Sequence, residues 1–147
     1  MKKLFFAAML LMTSVVSANA DNDERAINVA QLPQTAQSFL TANFSGKTVA
    51  FAVEERKFFG TEYEVVYTDR TEVSFRSDGE WESVETKYEQ VPSSVVPAQI
   101  ADFVAKGGFE GQFIKEISRD RYSWEITLSS GIEIKFDKQF NVIGYDD

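Results

Sequence analysis

A nine-residue pattern that occurs twice, 64 residues apart, most constrains how this chain can fold. Both copies, at residues 32–40 and 96–104, have an aliphatic residue, a proline, five further residues, a Phe and another aliphatic residue. Proline favours the first position of a helix, because its missing N–H needs no partner there and its φ angle is already helical. Each copy therefore predicts the start of a helix, and the repeat predicts two similar units.

The segments that follow each copy alternate apolar and polar residues, as β-strands with one buried face do. Residues 63–65 and 72–75 recur 61 residues later, so two strands keep the same spacing in both halves. We predict an α+β fold of two tandem units, at residues 31–90 and 91–147. Each unit is a helix followed by four antiparallel strands, and the fold has two layers because only the helix can cover the apolar face of each sheet.

The N-terminal residues 1–20 have the features of a secretory signal peptide. Two lysines precede an apolar run at residues 4–16, and a small-x-small motif at residues 18–20 marks a cleavage site. The apolar run is shorter than the roughly 20 residues that a membrane span requires. We expect a periplasmic or secreted mature chain without membrane association, beginning with a flexible leader at residues 21–30.

The charge and composition exclude several classes of function. The chain carries 15 basic and 23 acidic residues, a net charge of −8 that becomes −10 without Lys2 and Lys3. Such an acidic surface disfavours nucleic acid and anionic membranes, which need a surplus of Lys and Arg. The chain also lacks Cys and His, which removes disulfides, the commonest general base and the commonest transition-metal ligand.

Carboxylates are the remaining candidates for chemistry. Five Glu residues lie on predicted outer strand faces, where two could approach each other as in glycosidases: Glu54, Glu64, Glu72, Glu125 and Glu133. A solvated strand face is the simpler interpretation, so we predict no catalytic residues, no enzyme and no cofactor. Calcium binding is the alternative hypothesis, because Asp residues occupy several predicted turns, although no EF-hand spacing is present.

Aromatic residues indicate a binding surface. Phe58 and Phe59 lie in a predicted hairpin tip, and Trp81 alternates with polar residues, which places it on the outer face of the fourth strand. Aromatic side chains among polar neighbours are typical of interface hot spots. The alternative is that the two Phe residues fold back on the core and Trp81 fills a sheet edge. The predicted partner-binding residues are Trp81, Phe58, Phe59, Tyr88, Glu64, Arg76 and Glu125.

Several motifs, in this order, resemble the PepSY-like family of bacterial periplasmic proteins, also called β-lactamase-inhibitor-like. They are Leu32-Pro33, Phe75-x-x-Asp78-Gly79-x-Trp81, Val91-Pro92-x-x-Val95-Val96-Pro97-x-x-Ile100, Tyr122-x-Trp124-Glu125-Ile126-x-Leu128-x-x-Gly131-x-Glu133-x-x-Phe136-Asp137, and Asp146-Asp147. One departure is Phe140, in a turn where such proteins often place Gly.

The resemblance covers nearly all of the expected mature chain. It implies a helix-plus-antiparallel-sheet fold used twice, often with the two sheets side by side, and a binding or inhibitory role rather than catalysis. We therefore predict a secreted, non-enzymatic protein that docks an unidentified protein partner on the open face of its sheet. An enzyme, such as a protease, that this docking inhibits is a candidate partner.

Overall fold

The computed structural model describes residues 23–147, and the predicted signal peptide at residues 1–20 lies outside them. The described chain has two α-helices, α1 (Gln34–Phe44) and α2 (Ala98–Lys106). Nine strands form one antiparallel sheet in chain order: β1 (Glu24–Ile27), β2 (Val49–Lys57), β3 (Gly60–Tyr67), β4 (Glu72–Phe75), β5 (Trp81–Glu85), β6 (Ile114–Arg119), β7 (Ser123–Leu128), β8 (Glu133–Asp137) and β9 (Val142–Asp146). The α+β fold of two tandem units is confirmed, and the units join edge to edge between β5 and β6.

Both helices begin immediately after the prolines of the repeated pattern. Pro33 and Pro97 are the capping residues, and their carbonyl oxygens accept the first helical hydrogen bonds, from the N–H groups of Gln37 (3.1 Å) and Ala101 (3.0 Å). Proline suits this position because it has no N–H group that would need a partner. The repeat therefore marks the helix starts to within one residue.

The core lies between the helices and one face of the sheet. A row of aliphatic register partners crosses that face and is almost completely buried: Ile27, Ala52, Val65, Val73, Val84, Ile117, Ile126 and Ile134. Phe39 of α1 packs edge-on against Phe75, and Phe103 of α2 does the same against Phe136. Both helices therefore cover the same face, and burial of this apolar row holds the two layers together.

The predicted flexible leader at residues 21–30 is wrong over Glu24–Ile27, which forms β1. This strand pairs with β2, and Ile27 is buried in the core. Arg25 Nη2 bonds Glu54 Oε2 at 3.1 Å on the helix-covered face, so the prediction that Glu54 lies on the outer face is also wrong. A four-residue polar strand gains its stability from the sheet edge on which it pairs, and that edge is not visible in the local sequence.

The turn between β8 and β9 accommodates Phe140 in a conformation that normally favours glycine. The φ angle of Phe140 is +65°, in the left-handed region where side chains are strained. Its N–H donates to the carbonyl of Asp137 at 3.1 Å, and its ring lies 6.1 Å from the ring of Trp124. This aromatic contact compensates for part of the backbone strain.

Candidate functional site

The sheet face opposite α1 and α2, here called the open face, is the candidate site. Residues that are register partners on neighbouring strands share a face, so the register defines which side chains line it. The first open-face row crosses all nine strands and consists of Ala26, Val53, Glu64, Ser74, Ser83, Ser118, Glu125, Lys135 and Gly144. Its centre is built from three serines, so small side chains occupy the middle of the face.

The second open-face row is strongly acidic. It runs from β2 to β9 and consists of Phe51, Val66, Glu72, Glu85, Glu116, Thr127, Glu133 and Asp146. Strands in a sheet are spaced about 4.8 Å apart, so the carboxylates on β4, β5 and β6 are immediate neighbours. Within the described residues, no salt bridge is formed by the four Glu residues of this row, Glu72, Glu85, Glu116 and Glu133.

This arrangement shifts the protonation of several carboxyl groups. Burial, reinforced by Glu72 and other carboxylates, raises the pKa of Glu64 to about 7. Burial and the charges of Glu85, Glu125 and further carboxylates raise the pKa of Glu116 to about 7, against a hydrogen bond from Thr127 that lowers it. Burial and the neighbouring Glu85 also raise the pKa of Glu72. The open face therefore gains negative charge as the pH rises through neutrality.

One corner of the open face is apolar. Phe51, Val53 and Val66 lie on β2 and β3, and Ala26 lies beside them on β1. The Phe51 side chain is 36% exposed, and Ala26 is also exposed. The second row therefore changes from apolar to acidic across the sheet. We call these four residues the apolar corner.

The prediction that Trp81 lies on the open face is wrong. Trp81 is 8% exposed and pairs with Phe75 on the helix-covered face. A β-bulge at Glu82 adds one residue to the strand, so alternation counted along β5 assigns Trp81 to the opposite face. Its ring stacks on Phe39 of α1 at 5.8 Å, and the Arg119 guanidinium lies 4.1 Å from its centroid. Trp81 therefore attaches α1 to the sheet and is inaccessible to a partner.

The β2–β3 hairpin tip carries the most exposed aromatic side chains. Phe58 and Phe59 are 94% and 96% exposed, and their rings contact each other at 4.9 Å. The alternative that they fold back on the core is therefore wrong. Pairing with β1 and β4 stops at Glu55 and Tyr63, so the tip projects beyond its neighbouring strands.

The other predicted binding residues are spread across the sheet. Glu64 and Glu125 lie on the first open-face row, as the alternation predicts. Arg76 lies in the β4–β5 turn, where its Nε is 3.7 Å from Asp78 Oδ1. Tyr88 is 74% exposed in the segment after β5, at the opposite end of the strands from the hairpin tip.

Sequence reasoning missed the continuity of the acidic row. Glu85 and Glu116 are adjacent register partners from different units, and nothing in the local pattern brings β5 beside β6. One signal was available, because the 61-residue offset places Glu72 and Glu133 at equivalent positions of the two units. Among residues 23–147, no three carboxylates converge closely enough to hold a metal ion.

Comparisons with known proteins agree with this architecture. The family model described as "Putative beta-lactamase-inhibitor-like, PepSY-like" matches residues 19–65 and 61–144. No curated protein matches. Within the described part of the chain, neither helix has the length and apolar character that crossing a membrane requires.

Three solved structures from Bacteroides species have the same fold. A "putative periplasmic protein" of the DUF2874 family from Bacteroides vulgatus is 42% identical, with a TM-score of 0.81, and the match covers 88% of this chain and 100% of that chain. A "putative calcium-regulated periplasmic protein" from Bacteroides thetaiotaomicron is 38% identical, with a TM-score of 0.81, covering 85% and 98%. A second B. vulgatus periplasmic protein of unknown function is 31% identical, with a TM-score of 0.79, covering 84% and 99%. The chain therefore belongs to the PepSY-like, β-lactamase-inhibitor-like family.

Proposed function

We propose that this chain is a periplasmic, non-enzymatic binding module that docks a cationic surface of a protein partner onto its open face. The observation that carries the proposal is the second open-face row, in which Glu72, Glu85 and Glu116 occupy successive strands as register partners. Like charges directly opposite each other destabilise a sheet. A positively charged partner would remove this repulsion and gain favourable contacts at the same time.

The comparisons support the compartment and the type of role. The similar structures are named as periplasmic proteins, in agreement with the signal peptide predicted at residues 1–20. The inhibitor-like description of the family supports a partner that is itself an enzyme, whose activity docking would block. The net charge of −8 argues against nucleic acid as the partner.

A photo-crosslinking amino acid placed on the open face tests this proposal in cells. Replacing the exposed Lys135, on the first open-face row, keeps every carboxylate in place, and replacing the exposed Asp102, on α2, gives the matched control. We expect a discrete crosslinked protein from position 135 and none from position 102. The additional changes Glu72→Gln and Glu85→Gln should weaken that crosslink. Equal crosslinking from both positions would contradict docking on the open face.

The pH dependence of docking gives a second test of the same surface. Glu64 and Glu116 have pKa values raised to about 7, so both become ionised between pH 6 and pH 8. Docking of a cationic partner should therefore strengthen over this range. An affinity that is constant from pH 6 to pH 8 would argue for a partner that contacts a different surface.

Calcium binding is a second candidate function, favoured by the name of the B. thetaiotaomicron relative and by the acidic row. Carboxylate oxygens are the ligands that Ca²⁺ prefers, but Glu85 and Glu116 would have to move towards a common point to share an ion. Calorimetry on the purified protein should then show heat of binding and a higher melting temperature in millimolar Ca²⁺. The absence of both effects would remove this candidate.

A further inference from the structure

We infer that the segment docked on the open face is a basic amphipathic α-helix that lies across the strands. Its apolar end would lie over β1–β3 and its basic residues over β4–β9. This inference rests on the proposed function. It adds that the docked segment is helical, that it crosses the strands, and that its apolar residues lie at the β1–β3 end. It follows from the backbone pairing, dimensions and side-chain order of the open face.

The backbone pairing of the sheet excludes strand addition on this face. Each of β2 to β8 is paired on both sides, so these strands offer no free edge on which a docked strand could pair. A docked segment can therefore contact the open face only through side chains. A helix satisfies its own backbone hydrogen bonds, whereas an extended peptide lying across the strands would leave its own backbone groups without protein partners.

The dimensions of the open face suit a helix. Nine strands spaced about 4.8 Å apart span roughly 38 Å from β1 to β9. A helix of about 25 residues covers this length at 1.5 Å per residue. One helical turn advances about 5.4 Å, close to the spacing between strands, so basic residues three or four positions apart would meet carboxylates on successive strands. The accumulated mismatch of roughly 3 Å over the five spacings from β4 to β9 is within the reach of Lys and Arg side chains.

The first open-face row carries short side chains beside the carboxylates. Ser74, Ser83 and Ser118 occupy β4, β5 and β6, the same strands that carry Glu72, Glu85 and Glu116. The hydroxyl groups of Ser74 and Ser83 are hydrogen-bonded to each other, and Ser83 and Ser118 are buried. A helix resting above these short side chains places its long basic side chains at the level of the neighbouring carboxylates.

The apolar corner determines which part of the sheet the apolar end of the helix covers. Phe51 and Val66 continue the second row onto β2 and β3, and Ala26 and Val53 continue the first row onto β1 and β2, so Glu64 is the one carboxylate that these two rows carry on β1–β3. A uniformly basic segment would leave this corner uncovered, whereas a helix with aliphatic residues in its first or last two turns would bury it. Recognition of apolar and basic residues at helical spacing is a common mode of peptide binding.

Binding of a designed peptide to the purified protein tests the inference. The probe is a labelled 25-residue peptide with Leu in two terminal turns and Lys at i, i+4 and i+7 spacing in the remainder. A peptide of identical composition and scrambled order is the control. We expect the ordered peptide to bind at least about tenfold more tightly by fluorescence anisotropy, and to become helical by circular dichroism on binding.

Protein variants locate the bound peptide. The change Glu72→Gln with Glu133→Gln, on the second row, should weaken binding about tenfold, whereas the matched change Asp102→Asn with Glu110→Gln, at exposed positions outside the open face, should have less than a twofold effect. Phe51→Ser should weaken binding of the ordered peptide, but not of a version with Ser in place of Leu.

The outcomes separate this inference from the proposed function. If the scrambled peptide binds as tightly, and the open-face variant weakens both peptides equally, helical register is refuted while docking of cations stands. If the ordered peptide binds without becoming helical, or if Phe51→Ser has no effect, the helix or its polarity is refuted. If neither peptide binds, the inference falls, and crosslinking from position 135 still decides the proposed function independently.

Discussion

Replacing Glu116 by Gln should stabilise the protein at pH 8. Glu116 lies on the second open-face row, where burial and the facing carboxylates raise its pKa to about 7 from an ordinary value of 4.5. Its Oε2 accepts a hydrogen bond from Thr127 Oγ1 at 3.4 Å, and the carbonyl oxygen of Gln can accept the same bond. The substitution therefore removes a charge that the fold disfavours and preserves the local packing.

The magnitude follows from the two pKa values. A difference of about 2.5 between the folded and unfolded pKa corresponds to roughly 3 kcal/mol, which partial solvent exposure reduces to about 2 kcal/mol. Because the folded pKa is raised, the fold favours the protonated carboxyl of Glu116. The stability of the wild type is therefore highest below pH 4.5, where Glu116 is protonated in both states, and it falls as the pH rises through 7. The gain from Glu116→Gln should therefore fall below about 1 kcal/mol at pH 5.

Urea unfolding at pH 5, 6, 7 and 8 measures this effect, with Glu110→Gln as the control at an exposed position outside the sheet. The free energy of unfolding of the Glu116 variant should exceed that of the wild type by an amount that grows with pH, while the control variant should follow the wild type. A gain that is the same at pH 5 and pH 8 would refute the electrostatic explanation. No gain at pH 8 would refute the raised pKa itself.

Three further perturbations test the fold and the hairpin tip. Gly79→Ala should lower the unfolding free energy by about 2–4 kcal/mol, because φ is +84° and the new Cβ would lie 2.8 Å from the Cβ of the proline before α1. The control Gly131→Ala, where φ is +98° and the new Cβ meets no neighbouring atom, should cost only about 1–2 kcal/mol. Equal losses would contradict the close approach at Gly79. Trp81→Ala should cost about 3–5 kcal/mol in denaturant unfolding, and a loss below 1 kcal/mol would refute its role in attaching α1. Phe58→Ser with Phe59→Ser should change the unfolding free energy by less than about 0.5 kcal/mol, because both rings are almost fully exposed, and a larger loss would indicate packing on the core.

Most of the fold could be predicted because the repeat carries information over long distances in the sequence. The offset between the Leu32-Pro33 and Val96-Pro97 patterns identified both helices, and the alternation after them identified eight of the nine strands of the described chain. The strand that was missed, Glu24–Ile27, is not part of the repeated pattern and shows no alternation of apolar and polar residues. Its pairing depends on an edge that β2 offers only in the folded protein.

The candidate site was harder to predict, because alternation identifies a face only as long as the strand is regular. Bulges interrupt the register in four strand pairs, including β4–β5, where the bulge moves Trp81 into the core. The bulge between Val49 and Phe51 has a similar effect, so these two apolar residues lie on opposite faces although they are two positions apart. Val49 therefore lies on the helix-covered face, whereas Phe51 belongs to the apolar corner of the open face.

The two faces of the sheet differ in what the fold requires of them. The helix-covered face must be apolar, because its burial stabilises the protein, and its composition therefore says little about function. The open face has no such requirement, and serine or threonine at the positions of Glu85 and Glu116 would be more stable than two facing carboxylates. The acidic row thus lowers the stability of the free protein without contributing to the core. A cation docked on this row would offset that loss, and for this reason the row, rather than the exposed tip at Phe58, carries the proposed function.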